Sequence, residues 1–120
     1  MASLAMALFM VATACSTPTE PAQRVDIATS NKQILLTNHT GSPIFTAVFG
    51  RILLTVVDWT PCVDPSRCEL LDAGGTRAVP YPGVFDGVPE TEAVVFWWHA
   101  TRDIDGTLRP DSIRATVVRL

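Results

Sequence analysis

The chain has 120 residues, 48% of them hydrophobic and 18% charged, with a formal net charge of −3. That length sets one domain, and that balance excludes wholesale disorder. A single lysine, Lys32, and eight scattered arginines form no basic patch, which excludes electrostatic binding to nucleic acid or to an anionic membrane surface.

The first predicted element is an address. Met1 to Ala14 (M-A-S-L-A-M-A-L-F-M-V-A-T-A) carries no charge. Its apolar core of about eleven residues is too short to span a bilayer, which takes roughly 20, and suits the h-region of a signal peptide. Ala12-Thr13-Ala14-Cys15 resembles the lipobox of bacterial lipoproteins. The resemblance implies cleavage after Ala14 and a lipid on Cys15. Ser16 rather than Asp then implies sorting to the outer membrane of a Gram-negative cell, facing the periplasm. Ala12 stands where the lipobox usually has Leu, and no Lys or Arg opens the segment. The alternatives are a plain secretory signal with a secreted product, or a buried apolar helix. Ser16 to Gln23 is polar and Pro-rich and reads as a tether. The expected organisation is a signal peptide over 1–14, a lipidated cysteine and tether over 15–23, and a folded domain over 24–120.

From Arg24 onward, short extended segments alternate with turn residues, as in an all-β domain. Val25 to Thr29 is a weak first strand and Gln33 to Asn38 a stronger one, with His39 to Pro43 turning the chain. Ile44 to Trp59 is too long for one strand and is expected to break at Gly50-Arg51. A helix over Arg51 to Val57 is disfavoured by Ile52, Thr55, Val56 and Val57. Cys62 and Cys68 flank a turn-forming segment, and a disulfide there resolves the odd cysteine count if Cys15 carries lipid. So short a loop contributes about 2 kcal/mol. A metal site is the rival, but C-x2-C spacing and a flanking His are both missing; free thiols are the third option.

Glu69 to Ala73 reads as a short edge segment, and Pro80 restricts a strand over Thr76 to Tyr81 to an edge. Pro82 to Glu90 is expected to be irregular, with Val84, Phe85 and Val88 plugging one end. Ala93 to Ala100 (A-V-V-F-W-W-H-A) is the strongest strand. Val94, Phe96, Trp98 and Ala100 share one face, and Ala93, Val95, Trp97 and His99 the other. Both faces are apolar, so it is an inner strand. A loop over Thr101 to Asp111 and a last strand over Ser112 to Leu120 complete the chain. About seven strands predict an antiparallel two-sheet, immunoglobulin-like sandwich, with a partly closed barrel as the alternative.

Several patterns bear on chemistry. Asp103-Ile104-Asp105-Gly106-Thr107-Leu108 resembles the nucleophile motif of haloacid-dehalogenase phosphatases. Too little chain follows to supply that family's lysine and further acidic pair, and Asp-Gly between strands is ordinary hairpin chemistry. Asp103, Asp105 and Asp111 offer oxygens for Ca²⁺, but EF-hand spacing is missing. His39 lies in a turn and His99 at the end of the core strand. Asn38-His39-Thr40 matches a glycosylation sequon. Trp59, Trp97, Trp98, Tyr81 and Phe85 are the candidate binding surface, although adjacent Trp97 and Trp98 must point to opposite faces. No pattern calls for a cofactor or metal.

The segments L-L-T-N-H-T-G-S-P-I-F, D-W-T-P-C-V-D-P-S-R-C and V-V-F-W-W-H resemble a loose group of small bacterial lipoproteins, a resemblance that implies no activity. The expected function is a lipid-anchored, non-catalytic binding module of the cell envelope with a protein or glycan partner. The alternative is a small envelope hydrolase or metal-dependent enzyme using His99, Asp103 and Asp105.

Overall fold

Among the described residues, β-branched and aromatic side chains assemble into seven strands. These are β1 (Val25–Ser30), β2 (Gln33–Asn38), β3 (Ile44–Gly50), β4 (Leu70–Leu71), β5 (Thr76–Pro80), β6 (Glu92–Arg102) and β7 (Leu108–Arg119). The computed structural model describes residues 24–120; the expected signal peptide over 1–14 and the expected lipidated cysteine and tether over 15–23 fall outside the described residues. One antiparallel sheet has the order β1-β2-β5 and the other β4-β3-β6-β7. The two pack as an all-β sandwich whose strand order is that of immunoglobulin-like domains.

Period-two alternation builds the core. Ile34 and Leu36 of β2 meet Ile44 of β3 and Ala93, Val95 and Trp97 of β6 between the sheets. The even-numbered residues of β6 face away from that core, yet Val94 and Trp98 are buried too. Their cover is the segment after β3. The Trp59 ring lies 4.7 Å from Phe96, 5.9 Å from Trp98 and 5.2 Å from Phe49. Trp98 Nε1 donates to the Cys62 carbonyl at 2.8 Å, and the Cys62–Cys68 disulfide closes this roof. The two-faced apolar pattern of β6 therefore has two covers, the second sheet and a loop.

Three expectations are corrected. The chain does turn at Gly50, but into a one-turn helix, α1 (Arg51–Leu54). The Glu90 carboxylate accepts from Ile52 N at 2.8 Å and Leu53 N at 2.9 Å, satisfying first-turn donors that otherwise lack partners. Glu90 lies so close over Gly50 that a Cβ there would collide with it. Distant capping outweighs the β-branched residues. The stretch expected to be irregular contains α2 (Tyr81–Phe85). Pro82 sits in its first turn, where a missing N–H costs nothing, and Asp86 and Gly87 end it at φ 43° and 77°. Val84 is buried and the Phe85 ring lies 5.7 Å from Tyr81, tilted by 40°, so the end of the sandwich is plugged by a helical turn. Finally, the loop expected over 101–111 is mostly strand. Asp103 N donates to Thr107 O at 2.9 Å around a three-residue turn with Gly106 at φ 82°, which is the arrangement such hairpins favour.

Candidate functional site

The last strand carries the most open chemistry of the described residues. Leu120 N donates to Thr91 O at 2.9 Å, which makes Thr91–Leu120 a hydrogen-bonded pair. Antiparallel ladders alternate such pairs. Val118, Thr116 and Arg114, opposite Ala93, Val95 and Trp97, therefore turn their N–H and C=O groups toward β6. Arg119, Val117, Ala115 and Ile113 turn theirs outward, to an edge that pairs with no strand among the described residues. The side chains of Ala115 and Val117 stand on the outer face, opposite Phe96 and Val94. Ile113 is 44% exposed and Val117 51%.

A bulge limits this edge. Arg114 is opposite Trp97 and Asp111 opposite His99, so Ser112 and Ile113 share one place in the register. Ser112 takes φ 49° there, a left-handed conformation that serine seldom adopts. Beyond the bulge, the Asp103–Thr107 pair sets the alternation, and Pro110 falls at an outward position. It has no N–H to offer an incoming strand. The open ladder therefore runs from Ile113 to Arg119.

The bulge also brings Asp111 and Arg114 to the inner side, where they line a cleft of about 190 Å³ with Trp97, His99 and Ser112. The Arg114 guanidinium lies 5.5 Å from the Trp97 ring centre, a cation–π contact. His99 Nε2 is 3.1 Å from Thr40 Oγ1. The Thr40 hydroxyl also faces Asn38 Oδ1 at 2.6 Å and the Ser42 carbonyl at 2.8 Å, both acceptors only. Its one hydrogen goes to one of them, so His99 Nε2 is the donor to Thr40. The cleft is smaller than the roughly 300 Å³ at which organic-ligand pockets begin.

His99, Asp103 and Asp105 do not converge. Asp103 pairs with Arg109 at 2.9 Å, and Asp105 accepts from Thr107 N at 2.9 Å within the hairpin tip. The Thr107 backbone N–H, then its hydroxyl, hold the Asp105 carboxyl below its usual range. His39 pairs with Asp26 at 2.8 Å. Among the described residues no three His, Cys, Asp or Glu side chains are placed to hold a metal. Asn38 is fully buried, and its amide donates to Ser42 O and Leu71 O at 2.9 and 3.0 Å, so the sequon is inaccessible in the fold.

The five aromatic residues of the expected binding surface are divided among three places. Trp97 lies between the sheets, Trp98 lies under the roof formed by Trp59, and Tyr81 and Phe85 pack at the α2 end. Trp97 and Trp98 are 6% and 2% exposed, so neither offers a surface. Reading the residues one by one missed Arg114, Ser112 and Thr40. Pro110 inside an alternating run was the available signal, since proline in a strand marks an edge or a bulge.

A scan of family models and searches of curated proteins and of solved structures found no match to this chain.

Proposed function

We infer that this chain is a non-catalytic binding module held at the bacterial cell envelope by a lipid on Cys15, facing the periplasm from the outer membrane. Its partner is a protein that adds a strand to β7. The observation that carries this reading is the outward ladder from Ile113 to Arg119, with the apolar row Ile113, Ala115 and Val117 beside it. Main-chain groups on such an edge supply affinity, and alternate side chains supply selectivity. The hydrolase reading has less support, because Asp103 and Asp105 are engaged within their own hairpin.

Intact mass tests the anchor. Protein extracted from membranes of the native host should correspond to residues 15–120 plus a diacylglycerol and a fatty acid, less two hydrogens for the disulfide. Cys15→Ser should move the protein out of the membrane fraction. An unlipidated mass that retains Met1 to Ala14 would overturn the location. A photoreactive side chain at Ala115 tests the binding surface, and should yield a protein adduct in intact cells that Val117→Lys suppresses.

A further inference from the structure

The strand that β7 accepts is the β7 of a second copy of this chain; we propose that two copies pair their edges antiparallel about a two-fold axis at Ala115. This rests on the strand-accepting reading above and names its partner. The outward-facing backbone groups belong to Ile113, Ala115, Val117 and Arg119, all on one parity, so any two-fold axis through one of them matches donors with acceptors.

Side chains select the register. With the axis at Ala115, Ile113 meets Val117 of the second copy and Val117 meets its Ile113, so the exposed row of each copy is covered by the other. Ala115 meets Ala115, where the small side chain lets the strands close up. Arg114 meets Thr116. An axis at Arg114 would set Arg114 against its own copy, and like charges directly opposite are destabilising. An axis at Thr116 would set Ile113 against Arg119 and leave the apolar row unmatched.

Pro110 and the bulge at Ser112 end the shared ladder on both sides. The result is a closed pair, because a two-fold contact uses the same edge of both copies.

The test is site-directed disulfide trapping of the full-length chain in native membranes, with the wild-type chain as background. Directly opposed, hydrogen-bonded residues have Cα atoms about 5.5 Å apart, within disulfide reach. Ala115→Cys should give a covalent homodimer on mild oxidation, and peptide mass should place the bond between the two 115 positions. Ile113→Cys should cross-link only when co-expressed with Val117→Cys, and Thr116→Cys alone should not. Adding Val117→Lys to Ala115→Cys should cut the yield about tenfold, since it sets a charge in the apolar row. No homodimer above the Thr116→Cys level overturns self-pairing, and a homodimer trapped best by Thr116→Cys overturns the register. The photoreactive variant at Ala115 separates this failure from the broader one. A foreign-protein adduct without homodimer sinks self-pairing alone, and no adduct of any kind sinks both readings.

Discussion

β6 and β7 are neighbours in one sheet, and their outer faces carry similar residues with opposite fates. On β6, Val94 is buried and Trp98 lies beneath Trp59 and the disulfide loop, whereas on β7, Ile113 and Val117 stand open at 44% and 51% exposure. The difference lies in what passes over each strand, since both alternate with period two. An apolar stripe under a loop becomes a second core. The same stripe one strand further out becomes a surface that another molecule can cover.

Breaking the covered side should have the largest effect. Trp98→Ala removes a fully packed aromatic and the hydrogen bond to the Cys62 carbonyl, and should cost about 3–5 kcal/mol in urea unfolding. Removing the disulfide with Cys62→Ser and Cys68→Ser should cost about 2 kcal/mol, which ranks the tether below the ring it holds in place. On the open side, Val117→Lys should leave monomer stability within about 0.5 kcal/mol while cutting the Ala115 cross-link about tenfold. If Val117→Lys destabilised as much as Trp98→Ala, the two faces would not differ as described.

The smallest effect is one of pH, again on the roof. The Ser66 hydroxyl and then the Ser66 backbone N–H hold the Asp64 carboxyl below its usual range. A carboxyl depressed in the folded state contributes stability that is present above its unfolded pKa and fades as pH falls through the folded value. Melting temperature measured from neutral to acid pH should therefore fall less steeply for Asp64→Asn than for the wild-type chain. An unchanged acid slope would show that this turn does not anchor the roof.

The strand content was legible because it is local. Alternation in A-V-V-F-W-W-H-A separates the two faces of β6, the Cys62–Cys68 spacing marks the loop, and Asp-Gly marks the hairpin. The sequence pattern also indicated an inner strand covered on one face and partly covered on the other. What it could not convey was which element covers which face. Ile113, Ala115 and Val117 alternate as well as any core strand, and only strand order shows that β7 lies outermost. Likewise α1 depends on a carboxylate 38 residues away in sequence from Ile52, which no local propensity contains. In α2 the signal was present, in Pro82 and the Asp86-Gly87 terminator, and the proline count obscured it. Of the candidate surface, Trp97 and Trp98 are buried whereas Trp59, Tyr81 and Phe85 stay half-buried, and the reason is related. Tryptophan marks burial and binding alike, and here Trp97 and Trp98 serve burial.

The contact between Gly50 and Glu90 constrains how this sequence can drift. The two residues lie in separate segments, yet the carboxylate that starts α1 occupies the space a side chain at position 50 would need. Substituting either alone should disturb the turn, by displacing the Glu90 carboxylate in one case and by leaving its donors uncapped in the other. A larger residue at position 50 therefore calls for a compensating change at position 90 and another acceptor for Ile52 N and Leu53 N.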